Sequence, residues 1–300
     1  MSLIILLSGI IGNLLNCLVF AQRSLRTKPC SVYFFIASIL NLIAIFSGIT
    51  PRAFQSFFSI PNLTLTVSVL CKLQLFVLFS TRTISSWLIT LASIDRYLIS
   101  SPDVVLRRLS NLKNTYFSIL IVSIISFLFW SEVGYCFDAN LIGTPQKCYA
   151  KSDACRIFND LAQSFITTII PSTIMFIGGL LTIRNVRKSQ QIGVLPITIV
   201  NHNTGITRRN ERSLTVMLIA QVILLTVFNL PQAGQKFYLT YSFYQTKTTS
   251  QQALETLLFN FVLFLTYISN CMPFYIYTIT GTLFRKTLFK LLKSGIQYFH

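Results

Sequence analysis

Acidic side chains are scarce: 8 Asp and Glu stand against 25 Lys and Arg in 300 residues. Charged residues make up only 11% of the chain, hydrophobic residues make up 53%, and the mean hydropathy is +0.64, a balance outside that of soluble domains. Histidine is rarer still. His202 and His300 fall in a basic loop and at the last position, so no apolar run holds a histidine for a Ser-His pair or a histidine-metal site. A Gly-rich phosphate loop and a Cys-x-x-Cys pair are missing too. These absences make an enzyme the least favoured class and call for no cofactor or metal. The period-two alternation of an outer-membrane barrel is also absent.

What is present is seven apolar runs, near residues 3–21, 31–50, 68–99, 115–137, 158–183, 213–240 and 254–280. Each is long enough to cross about 30 Å of hydrocarbon, which takes roughly 20 helical residues. Continuous Leu, Ile, Phe and Val predict helices, so the fold class expected is all-α: one seven-transmembrane helix bundle over residues 1–300. The third run exceeds a straight crossing and is expected to tilt or to project past the bilayer. The spans show no internal repeat, which counts against an inverted-repeat transporter.

The formal net charge of +17 is not interleaved with polar sequence in a soluble module, which argues against nucleic acid as a partner. It is sorted by loop instead. Arg23, Arg26 and Lys28 follow the first run, Arg107, Arg108 and Lys113 the third, Arg184 to Arg212 the fifth, and Arg285, Lys286, Lys290 and Lys293 the seventh. Alternate loops share a side, and the positive-inside rule makes that side cytoplasmic, with the amino terminus outside. By loop counting, the outer side is near neutral. The first run follows Met1 and Ser2 with no basic leader, unlike a cleavable signal, and the expectation is of a chain that begins late. After the last run, residues 281–293 place Phe284, Leu288, Leu291 and Leu292 on one face and basic residues on the other, the pattern of a helix lying on the inner leaflet of the lipid bilayer.

Cys71, Cys136, Cys148 and Cys155 fall on or near the oxidising side. Cys71 opens the third run and Cys148 sits mid-loop, making them the first choice for a disulfide, with Cys136 and Cys155 an open second. Asn62-Leu63-Thr64 is a glycosylation sequon on the same side. From Cys71 to Arg96 is about 25 residues, or roughly 37 Å of helix. One helix therefore carries a crosslink candidate at its outer rim and the cluster Asp95-Arg96-Tyr97 at its inner rim.

Together these motifs resemble the rhodopsin-like (class A) G-protein-coupled receptors over nearly the whole chain. The matching features are Gly12-Asn13, the spacing of Cys71 and Arg96, Pro171, Pro231, Glu211 twenty residues before Pro231, the ending SNCMPFYIY, and Phe284-Arg285. The endings of the fifth and seventh runs are similar to invertebrate FMRFamide-type neuropeptide receptors. The resemblance implies a switch built from Asp95, Arg96, Tyr97, Glu211 and Tyr277. In it, Arg96 is clamped by Asp95 and by Glu211 until an outside ligand swings the sixth span outward and admits a heterotrimeric G protein. It also places the Cys71–Cys148 bridge at the family position.

Several residues depart from the family pattern. Asn41 stands where relatives carry the carboxylate that helps hold sodium, so that ion is not expected. Asn229 replaces a tryptophan before Pro231, and Trp130 sits late in its span. Pro273 is four residues before Tyr277 rather than three, so either the proline has shifted or Tyr277 is not the switching residue.

Ionisable and polar groups at membrane depth nominate a ligand pocket. Arg82 lies roughly 21 Å above Arg96 on the third span, and Leu78 occupies the place where amine receptors carry an aspartate, which argues against a monoamine. Arg82 points either to an anionic or carbonyl-rich ligand or to an internal partner such as Glu132. Asn229, Gln232, Gln235, Lys236, Tyr267 and Glu255 either complete the pocket or hydrogen-bond between helices. The reading favoured is a plasma-membrane receptor that binds an extracellular peptide ligand and couples to a G protein. The alternatives are a seven-helix transporter or channel, and a receptor-shaped protein that does not signal.

Overall fold

The computed structural model describes residues 2–58, 63–142, 146–192, 202–242 and 248–298; the side chains of 24, 55–58, 189–192, 202–212, 292 and 294–298 lie outside that description. Asn62 falls outside it as well. Among the described residues seven helices are long and apolar enough to cross a membrane: Ser2–Phe20, Pro29–Phe54, Ser68–Ser100, Leu112–Cys136, Asp153–Lys188, Ser213–Tyr241 and Thr249–Cys271, called spans 1 to 7 here. The protein is thus a multi-pass membrane protein with the expected all-helical bundle.

Span 3 is the central post, touching spans 2, 4, 5 and 6. Its buried face is rich in small and hydroxylated residues, among them Ser80, Thr83, Ser85, Thr90, Ala92 and Ser93. Without a hydrophobic drive between helices in lipid, such residues let backbones approach and pack. The approach is close at Gly178 of span 5, where a Cβ would stand 2.8 Å from Ser93 Oγ.

Span 5 shows how a proline is accommodated. Pro171 has no N–H to offer the carbonyl of Thr167, and its ring crowds that turn. The preceding turns, Gln163–Ile169, widen into a π-helix. The carbonyls so released are taken by span 3: Ser86 Oγ donates to Thr167 O at 2.9 Å, and Trp87 Nε1 donates to Ile166 O at 3.0 Å. The widened turns are therefore also a seam between two helices.

Span 7 breaks at Pro273 and resumes as Pro273–Thr280. Asn13 of span 1 pins the break, its Nδ2 donating to Asn270 O at 3.1 Å and to Gly9 O at 2.9 Å. The following helix, Thr282–Tyr298, lays Phe284 and Leu288 into the core while Arg285, Lys286, Lys290 and Lys293 stay exposed, as the amphipathic pattern predicts.

The ends of the bundle opposite the Asp95-Arg96 pair, called outer below, are tied by the loop between spans 4 and 5. Phe137–Asp138 pairs antiparallel with Tyr149–Ala150. Cys71–Cys148 fastens this hairpin to the top of span 3, and Cys136–Cys155 fastens it to span 5, closing the pairing left open by the sequence. Asp138 accepts from the Ser68 hydroxyl and from the Ala139 N–H at 2.9 Å, and these donors hold its carboxyl below the usual range. Trp130, late in its span, is fully buried beneath the hairpin and donates to Thr83 Oγ1 at 2.8 Å.

Candidate functional site

At the outer ends, the helices and the hairpin enclose a cavity of about 310 Å³. Five of the eight residues nominated for the pocket line it: Leu78 and Arg82 on span 3, Gln232 and Lys236 on span 6, and Tyr267 on span 7. Arg82 is only partly exposed, and its Nη2 donates to Gln232 Oε1 at 2.7 Å. The Thr266 hydroxyl lies 3.3 Å from the same oxygen and 3.1 Å from the Val262 carbonyl, so its one proton is shared between them and the Gln232 amide is flanked on two sides. Tyr267 is buried against Gly48 of span 2, where a Cβ would fall on its ring.

The other three lie elsewhere. Asn229 lines a smaller polar chamber beneath, with Asn41, Ser85 and Asn270, where Ser85 Oγ donates to Asn41 Oδ1 at 2.8 Å. Glu255 accepts from the Tyr238 hydroxyl at 3.1 Å on the exposed rim, and Gln235 is half-buried; neither is among the described residues lining the cavity.

Sequence reasoning missed Asp160. It lies 1% exposed on span 5 and accepts from Lys236 Nζ at 2.6 Å, an ion pair across spans 5 and 6. A lone carboxylate in the outer turns of an apolar run was the available signal, because a charge at that depth needs a partner. The reading of a near-neutral outer side is corrected as well. Arg52, Lys72 and Arg156 add three cations to that balance, and Arg52 lines the cavity together with Lys147. Glu132 is not the partner of Arg82: both of its carboxylate oxygens are buried with no hydrogen bond among the described residues.

At the inner end, Asp95 and Arg96 are 5% and 2% exposed and bonded at 2.7 Å. The other Asp95 oxygen accepts from the Ser110 hydroxyl, in the turn between the short helix Val104–Leu109 and span 4. The side chain of Glu211 lies outside the described residues, and Tyr97 is half-buried.

Tyr277 is 1% exposed, donates to Gln221 of span 6, and is surrounded by Phe34, Phe20 and Phe284 at ring-centre distances of 5.1, 5.5 and 5.7 Å. Met217 of span 6 packs beneath Gly281, and Ser213 accepts from the Leu283 N–H at 3.2 Å. At this end span 3 is bonded to the turn before span 4, and span 6 to the segments that follow span 7, by a few polar contacts in an apolar setting, where breaking each is costly.

This architecture can be set against known proteins. Over its whole length the chain is 23% identical to neuromedin-U receptor 2 of Mus musculus, an alignment covering 99% of this chain and 75% of the relative. Residues 12–277 match the 7 transmembrane receptor (rhodopsin family) pattern, a range running from the Gly12-Asn13 tether through the Asp95-Arg96 pair to Tyr277. The chain belongs to the rhodopsin family of seven-transmembrane receptors.

Proposed function

We propose that this receptor sits in the plasma membrane with its amino terminus outside, binds an extracellular peptide, and activates a heterotrimeric G protein by releasing Arg96. The observation that carries this reading is the cavity of about 310 Å³ under the doubly crosslinked hairpin, at the low end of the size that ordinary ligand pockets occupy. It suits one or two residues of a peptide end, with the rest lying on the hairpin. A neuropeptide receptor among its relatives supports the same ligand class, and the likeness to FMRFamide-type receptors gives a first family of peptides to try.

Release of Arg96 follows from how the inner end is held. A ligand acts only through differential affinity for two states of the bundle. Here the resting state has Arg96 on Asp95, Asp95 on Ser110, and Tyr277 on Gln221. Outward movement of the inner half of span 6, with Pro231 as its flexible point, separates Gln221 from Tyr277 and Ser213 from the terminal helix. It also withdraws Glu211, the carboxylate that by family position would clamp Arg96. The groove so opened exposes Arg96 to a G-protein tail.

The test is a screen of synthetic peptides, amidated and free-acid, on cells co-expressing this receptor and a promiscuous G-protein reporter. A concentration-dependent response absent from untransfected cells is expected. Solute flux in reconstituted vesicles, with no peptide able to stimulate nucleotide exchange, would instead favour a transporter.

A further inference from the structure

Arg82 stands on the cavity wall with no carboxylate bonded to it, and no Asp or Glu lines that wall among the described residues. Of the eight acids, Asp95, Asp103 and Glu211 belong to the inner end. Among the outer five, Asp138 is engaged by Ser68 and the Ala139 N–H, Asp160 holds Lys236, and Glu255 accepts from Tyr238. Asp153 is exposed at the start of span 5, and neither Glu132 oxygen has a hydrogen-bond partner. The hydrogen bond that Arg82 does make, to Gln232 Oε1, is to a neutral amide.

The surroundings sharpen the imbalance. Lys236 follows Gln232 by one helical turn and lines the same cavity, as do Arg52 and Lys147, while no Asp or Glu appears among the described lining residues. Among the described residues the acid bonded to this group is Asp160, and Lys236 occupies one of its oxygens. A guanidinium held at membrane depth is costly until an anion meets it. Its planar fork is the natural seat for a carboxylate, which it grips through two parallel N–H donors.

We infer that the cavity is built to receive a carboxylate of the ligand, seated on Arg82 with Lys236 one turn away. That carboxylate is either an acidic side chain or the free carboxyl end of the peptide, so the inference rests on the receptor reading above. Gln232 acts as a positioning residue: flanked by Thr266, it aims the Arg82 fork. The wall provided by Leu78 and Tyr267 gives the neighbouring apolar part of the ligand a surface.

The experiment uses the full-length receptor in lipid nanodiscs and matched probe pairs. One set is short N-acetylated peptides as free acids and as carboxamides; another holds internal Asp or Glu against Asn or Gln; a third is straight-chain monocarboxylic acids against their amides. Binding is read by competition and by thermal stabilisation. The acid of at least one set should bind about 30-fold tighter than its amide twin or more, the scale lost when one partner of a buried charge pair is removed.

Arg82→Gln should close that gap, the acid losing far more affinity than its amide twin, and Arg82→Lys should keep part of it because the charge survives without the fork. Amides binding as well as acids, acid preference intact in Arg82→Gln, or no carboxylate binder in any set would overturn the inference. If Arg82→Gln does not fold, the wild-type twin comparison decides alone. Non-peptide acids binding where no peptide does would uphold the carboxylate seat and remove the peptide reading; peptide amides binding alone would do the reverse.

Discussion

Replacing Asp160 with alanine tests the span 5–span 6 ion pair. In the native structure the Lys236 ammonium lies 2.6 Å from Asp160, with side chains 9% and 1% exposed, so solvent screening offers no discount on the interaction. Removing the carboxylate leaves a cation buried without its ion, a loss of roughly 3–5 kcal/mol. At an unfolding entropy of about 2.1 cal/mol/K per residue, that is a fall of roughly 5–8 °C in the unfolding midpoint. Asp160→Asn keeps an acceptor and should lose less.

The double variant Asp160→Leu with Lys236→Leu removes both charges and should recover most of the stability, since a well-packed apolar pair often equals or exceeds a buried ion pair. Arg156 separately bonds the Leu239 carbonyl at 3.0 Å, so spans 5 and 6 keep a second tie in every variant. The assay is thermal unfolding in nanodiscs, with the coupling taken from the double-mutant cycle. An Asp160→Ala protein melting with the wild type, or a double variant as weak as the sum of its singles, would refute the argument.

Three other outcomes are expected. Cys71→Ala should destabilise more than Cys136→Ala, because the bridges span 77 and 19 residues; loop closure gives about 4.5 and about 3 kcal/mol, and melting of the two variants under oxidising conditions checks the order. Asp95→Asn should raise ligand-free nucleotide exchange on a co-expressed G protein, since Arg96 then loses its bonded counter-charge, and an unchanged baseline counts against the clamp. Gly48→Ala should cost about 1–3 kcal/mol through overpacking against Tyr267 and should shift peptide potency by moving that cavity wall, which a response curve alongside a melt measures.

The bundle was legible because run length and loop charge are strong signals in a chain with so few charged residues. The crosslink at Cys71 and the cluster at Asp95 follow from spacing along one helix, and the amphipathic end from its period. What escaped were facts of azimuth. Gln232 and Gln235 are both polar and three residues apart, yet Gln232 alone lines the cavity, and Glu255 serves the rim.

Tyr277, four residues after Pro273, is buried among Phe20, Phe34 and Phe284, a packing that its spacing from the proline did not reveal. Asp160 was passed over because a hydropathy window averages a single carboxylate away, while a bilayer does not.

The widened turns at Gln163–Ile169 carry one further consequence. An extra residue in a helix rotates everything beyond it by about 100°, so the outer third of span 5 is out of phase with its inner part. Counting outward from Pro171 along an ideal helical wheel will therefore assign the wrong compass bearing to Asp160 and Gln163. Transferring contact maps from relatives without this insertion will mislead mutagenesis on that side of the bundle.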